Sequence, residues 1–170
     1  MLHTHDSYTY TENIKKAMCM AYDAHHGQTD LGGVPYIFHV THLVYNVQET
    51  ANLDDNVDME DLVCVALLHD AVEDGHLTID EIKAADFDDD VIEAITLLTR
   101  DKSKPYEDYI MGLRDNELAA AVKLADLFHN KEATRLKHPS ELTESEKARM
   151  AKYENAINLL LELDDEQSEN

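Results

Sequence analysis

Seven apolar residues in succession, Leu62-Val63-Cys64-Val65-Ala66-Leu67-Leu68, follow the helix-starting residue Asp58 and stop abruptly at His69-Asp70. A helix that is apolar on every side has to lie at the centre of a molecule, so the rest of the chain must wrap around it. Five glycines and three prolines in 170 residues leave few turns, and most of the remaining sequence repeats with a period near 3.6. The expected fold class is therefore all-α, one multi-helix domain over residues 1–170 with its core at about 8–163. The acidic tail from Asp164 to Asn170 is expected to fray.

Caps and breakers divide the chain. A first helix is expected from about Thr11 to His26 with Ile14, Ala17, Met18, Ala21 and Tyr22 on one face, ended by Gly27. Pro35 suits the first turn of a second helix reaching about Thr50, because the first turn has no internal acceptor for an amide there. Thr78 with Glu81 and Thr143 with Glu146 are capping-box patterns. Asp88 to Asp90 introduce a helix over Val91–Thr99, and Pro105 opens one over about Tyr106–Arg114. Asn116 caps a long helix to about Lys137, closed by Pro139, and the last helix is expected to reach about Leu163.

With 36 acidic residues against 14 Lys and Arg, the formal charge is −22. Such a chain repels a phosphate backbone and an anionic membrane, and its cations form no stripe, so neither nucleic acid nor membrane is expected as a partner. No apolar run approaches the ~20 residues of a membrane span, and the start MLHTHDSYTY lacks the basic and apolar regions of a signal peptide. The expected location is the compartment of synthesis, the cytoplasm. Cys19 and Cys64 read as reduced packing residues, and Met18, Met20, Met59, Met111 and Met150 as fillers between helices. His3, His5, His76 and His138 read as surface residues.

The chemistry gathers in three segments. In Ala66 to Asp74, His69 and Glu73 are four apart and so are Asp70 and Asp74, which places four ionisable groups at the polar end of a buried helix. Alone, His69 beside Asp70 is a helix end entering solvent. In Lys123-Leu124-Ala125-Asp126-Leu127-Phe128-His129-Asn130, residues Lys123, Asp126 and Asn130 share a face, which alone describes an intrahelical ion pair. Pro35-Tyr36-Ile37-Phe38-His39, with His42 one turn on, alone describes an amphipathic helix with a core histidine. Taken as one site, His39, His69, Asp70 and Asp126 supply two imidazoles and two carboxylates to a divalent ion. That donor set suits manganese, iron or zinc better than calcium and leaves positions open. Glu73 and Asp74, a turn beyond, are then candidates to orient a water and move its proton.

The segments AHHGQTDLGGVPYIFH, ALLHDAVED and KLADLFHN, in this order, resemble the HD-domain metal-dependent phosphohydrolases, and within them the alarmone hydrolases. The resemblance implies His39, His69, Asp70 and Asp126 as ligands of one metal, usually manganese in that family. It implies Glu73 and Asp74 as the water-activating pair, with Asn130 and Lys123 at the substrate. The implied reaction removes the 3′-pyrophosphate of guanosine tetra- or pentaphosphate, so the partner is a small nucleotide. Where alarmone hydrolases carry a basic pair against the nucleotide, this chain has Asp30 and Leu31, and the proline expected after the motif histidine is Val40. These departures bear on the substrate and leave the proposed ligands in place. They resemble a group of small bacterial HD proteins that share the pattern seen here from Leu98 to Tyr109. In it Arg100, Lys102, Lys104 and Tyr106 form either a basic, aromatic lip over a base or phosphate, or a solvated loop. Other readings remain open at this level: an HD hydrolase of another nucleotide, either a 5′-nucleotidase or a triphosphate pyrophosphohydrolase, or a metal-containing nucleotide sensor. Oligomeric state is not legible.

Overall fold

The computed structural model describes residues 10–30, 32–51, 57–135 and 139–167. Among them are eight α-helices and no strand, the all-α class expected. Helix α1, Glu12–Ala24, is capped by Thr11, whose side chain accepts the Ile14 amide. Its buried face is narrower than the sequence pattern implies. Ile14, Ala17 and Ala21 are buried, whereas Met18 and Tyr22 are exposed. Cys19 is exposed as well, so of the two cysteines only Cys64 is a packing residue. Met111 also lies at the surface.

Helix α2, Ile37–Ala51, begins two residues later than Pro35. The proline is spent elsewhere: it forms an antiparallel bridge with Thr29, and the next amide, Tyr36 N, donates to Gln28 O at 2.9 Å. This bridge closes the loop between α1 and α2. Asp30 folds into the same loop, its Oδ1 accepting the amides of Gly32 and Val34 at 2.8 and 2.9 Å. Leu31 lies outside the described residues, as do His3, His5 and His138.

Helix α3, Met59–Glu73, is the axis of the molecule. Asp58 caps it by accepting from Glu60 N and Asp61 N, and every residue from Leu62 to His69 is buried. It packs against α1 and α2 on the sequence side that precedes it, and against α5 (Asp89–Leu98) and α7 (Glu117–Arg135) on the side that follows. A helix walled in by four others has no polar face, which is why its composition shows no amphipathic period. Gly75 turns the chain out of α3 at φ +78°, a left-handed conformation that a side chain disfavours.

Helix α4, Ile79–Ala84, carries the full capping box of Thr78 and Glu81. Helix α6, Tyr106–Met111, ends three residues short of Arg114 in turns through Gly112. Asn116 Oδ1 accepts Ala119 N at the start of α7, and Pro139–Glu141 forms a 3-10 turn. The last helix, α8, opens with the second capping box, Thr143 with Glu146, and runs Glu144–Gln167. It therefore continues through Asp164 to Gln167, past the expected helix end at about Leu163. That stretch contains no glycine or proline, and helix propagation needs only the absence of a breaker once a long helix is anchored. None of the described helices is long and apolar enough to cross a membrane.

Candidate metal centre

Three helices deliver the central group: His39 from the first turn of α2, His69 and Asp70 from the last turn and a half of α3, and Asp126 from the middle of α7. His39, His69 and Asp126 are only 9%, 3% and 4% exposed, and one ligand atom from each lies within 4.8 Å of the others. Asp70 Oδ2 stands 2.9 Å from His69 Nε2 and 3.5 Å from His39 Nε2, and Asp126 Oδ1 is 3.5 Å from His39 Nε2. Close as they are, these approaches lack the alignment of a hydrogen bond, and both Nε2 atoms are buried without a hydrogen-bond partner. Two unsatisfied imidazole nitrogens converging on two carboxylates form an arrangement that a divalent cation satisfies. His39, His69 and Asp126 thus form a group that could hold a metal ion, with Asp70 beside both histidines.

The surrounding contacts prepare each donor. His69 Nδ1 lies 2.8 Å from Ala66 O, so this nitrogen is a donor to the backbone and Nε2 is the one turned to the carboxylates, where a cation would replace any proton it carries. His39 Nδ1 lies 2.7 Å from His129 Nδ1. Burial, with His39 and His42 alongside, pulls His129 down to about 4, so its ring is neutral and can take the acceptor role; with the shared proton on His39 Nδ1, His39 Nε2 is the nitrogen left to coordinate. The Tyr36 hydroxyl donates to Asp70 Oδ2. Lys123 Nζ donates to Asp126 Oδ2 at 2.8 Å and Asn130 Nδ2 to Asp126 Oδ1 at 2.5 Å.

Charge follows from this crowding. Burial works against the His69 cation, but Asp70 and Asp126 outweigh it and hold the imidazole up at about 9. Burial likewise opposes ionisation of Asp70, yet His69, His39 and Tyr36 bring it well below the usual carboxylate range. Lys123 is raised against its own burial by Asp126 and Tyr109. Glu73 is raised, first by burial and then by Asp70, with Lys123 opposing.

Glu73 and Asp74 part company at the end of α3. Glu73 is half-buried beside the charges just described, whereas Asp74 is exposed at the C-cap and its Oδ2 accepts from Gln28 Nε2 at 2.9 Å. Beyond Lys123 lies a cationic, aromatic wall. The Arg100 guanidinium carbon is 5.0 Å and Lys152 Nζ 3.6 Å from the centre of the Tyr106 ring, and Lys123 Nζ is 6.0 Å from that of Tyr109. Asp30, by contrast, has its carboxylate engaged by its own loop.

Sequence reasoning missed Tyr36, His129 and Lys152. The first two lie inside motifs already in hand, at Pro35 to His39 and Lys123 to Asn130, where only the pairing of distant helices reveals their part. Lys152 had no local signal at all, since α8 reads as a solvated helix until it is laid against α6.

These features define an all-α, HD-type fold around a buried His/His/Asp group. No protein-family model matches the chain. The chain resembles alarmone hydrolases. It is 30% identical over 129 residues to the bifunctional (p)ppGpp synthase/hydrolase SpoT of Escherichia coli K12, covering 70% of this chain and 18% of the relative. It is 29% identical over 127 residues to the probable guanosine-3′,5′-bis(diphosphate) 3′-pyrophosphohydrolase of Synechocystis, covering 69% of this chain and 16% of the relative. The chain therefore spans less than a fifth of the length of these relatives. A solved structure of a metazoan ortholog of SpoT that hydrolyses ppGpp shares the fold, with a TM-score of 0.65, 23% identity, and coverage of 91% of this chain and 93% of its own.

Proposed function

We propose that this chain is a metal-dependent phosphohydrolase of the HD type that removes pyrophosphate from a nucleotide, with guanosine 3′,5′-bis(diphosphate) as the leading substrate. In that reaction water attacks the phosphorus attached to the 3′ oxygen, the P–O bond to that oxygen breaks, and GDP and pyrophosphate leave. The observation that carries the reading is the pair of buried Nε2 atoms of His39 and His69, unpartnered and facing Asp70 and Asp126.

Those four residues would hold one divalent ion, with manganese the first candidate and iron or zinc the next. When bound, such an ion polarises a phosphoryl oxygen and lowers the pKa of water. The remaining work falls to the chain. Glu73, half-buried and biased toward holding a proton, is the group to receive one from the attacking water. Asp74 is assigned a supporting part in the pair, because Gln28 already engages its Oδ2. Lys123 and Asn130 fix Asp126 and line the substrate side, where Lys123 offsets accumulating phosphoryl charge. Arg100, Tyr106 and Lys152 offer a ring for stacking and two cations for a distal phosphate. The working unit is a single domain over residues 1–170, acting on a small nucleotide in the cytoplasm.

A second reading, an HD hydrolase of another nucleotide, is favoured by one feature. Asp30 and Leu31 stand where a basic pair is expected, and an aspartate there repels phosphate. A manganese-supported turnover panel of ppGpp, nucleoside triphosphates and 5′-monophosphates, with pyrophosphate and orthophosphate measured separately, tests both. Pyrophosphate release from ppGpp is expected. Release from triphosphates alone, or orthophosphate from monophosphates alone, transfers the assignment to the second reading, and no turnover of any substrate overturns hydrolysis.

A further inference from the structure

A second cluster of donors stands where the α1–α2 loop meets the end of α3. A ring nitrogen of His25, a carboxylate oxygen of Asp74 and a ring nitrogen of His76 lie within 4.8 Å of one another. Gln28 sits among them. Its Oε1 is 2.7 Å from His25 Nδ1 and 3.2 Å from His76 Nε2, and its Nε2 is 2.9 Å from Asp74 Oδ2. His25 is the anchor. It is only 3% exposed, packs its ring 4.9 Å from that of Tyr36, and turns Nδ1 to the cluster through Gln28. Asp74 and His76 are exposed, so their side chains can close on an ion that the buried histidine has already fixed.

We propose that His25, Asp74 and His76, with Gln28 Oε1 as a fourth donor, form a second divalent-metal site, distinct from the His39/His69/Asp70/Asp126 group and suited to zinc. Two imidazoles, one carboxylate and one amide oxygen are a nitrogen-rich set of the kind zinc accepts in four-coordinate geometry. Ligand atoms on a tetrahedral ion stand about 3.3–3.4 Å apart for metal–ligand bonds of ~2.0–2.1 Å. His76 Nε2, at 3.2 Å from Gln28 Oε1, is near that spacing, and His25 Nδ1, at 2.7 Å, would move apart from it to admit the ion. Occupancy would pin the α1–α2 loop to the end of α3. The site uses none of the first site's ligands, and it shares only Asp74 with the pair assigned above to the attacking water.

Zinc content after equilibrium dialysis against buffered, low free Zn2+ tests it. The experiment uses the full chain in a Cys19→Ser background, because that exposed thiol would otherwise bind zinc. The parent is expected to hold two equivalents, His76→Ala one, Asp126→Asn one, and the double variant none. His76 is exposed, so its removal leaves the core intact. One equivalent in the parent that His76→Ala retains, or two retained by His76→Ala, overturns the second site and shows Gln28 to be a hydrogen-bonded latch only. Loss of the other equivalent in Asp126→Asn reports on the first site alone, so the two assignments fail separately.

Discussion

Glu73 and Asp74 are adjacent in sequence and carry the same charge, yet the fold treats them differently. Glu73 is half-buried, with its pKa raised by burial and Asp70, and Asp74 is exposed and bound to Gln28. Glu73→Gln keeps size and polarity and removes only the ability to take a proton. It is expected to leave metal content unchanged and to lower kcat by ~10² or more, measured on the metal-loaded protein. His129 makes a different prediction. It touches His39 through Nδ1 and touches none of the reacting atoms, so it is a positioning residue. Losing a hydrogen-bond partner behind a metal-ligating histidine lowers metal affinity by ~10–100-fold. His129→Ala is expected to fall in that range, and His129→Asn, which returns an acceptor near the same place, to recover part of it. Equal affinity in all three proteins would sever the link between His129 and the site. At this scale much was legible. His39, His69, Asp70 and Asp126 stand out because a carboxylate or imidazole inside an apolar run demands a partner. Tyr36 and His129 stayed hidden because their partners are 34 and 90 residues away, on another helix, and no spacing along one helix predicts that.

The elements were readable wherever a local interaction decides them. Asp58, Thr78 and Thr143 mark helix starts because a side chain satisfies an amide within three residues. Pro35 was misplaced because its bridge to Thr29 is a loop contact that competes with the helix start. The start of α3 also bears an avoidable load. Asp61 is partly buried, and burial together with Asp58, Asp88, Asp90 and Glu60 pushes its carboxyl up to about 6. Asp115 and Glu117 face the same cavity of 270 Å³. The folded pKa lies above the ordinary value of 3.8, so the folded state is penalised for holding the charge. The penalty is absent below 3.8, grows as pH rises from there, and is complete above about 6. Asp61→Asn is therefore expected to raise Tm at pH 7, by ~2–4 °C for a screened gain of ~1 kcal/mol, and to have little effect at pH 4. A Tm difference that does not depend on pH would remove the electrostatic explanation.

Over the whole molecule, a charge of −22 is set against a small group of cations, the largely buried Lys123, Arg100 and the exposed Lys152, beside the proposed site. The two act over different distances. An approaching anionic nucleotide first meets the field of the entire surface, which repels it and which salt screens over ~8–10 Å at 0.1–0.15 M. The cations act only after arrival, at contact distances that salt screens far less because Lys123 is largely buried. Raising NaCl from low to physiological strength, at fixed free metal, is therefore expected to increase kcat/KM by roughly two- to five-fold while kcat stays constant. Charge-neutralising substitutions on α5, such as Asp89→Asn with Glu93→Gln, should produce the same rise at low salt and leave less for added salt to do. If kcat/KM falls as salt is added, the local cations dominate the approach as well as the bound state. The acidic surface would then play no part in substrate capture, and its effect would be confined to keeping the protein molecules apart.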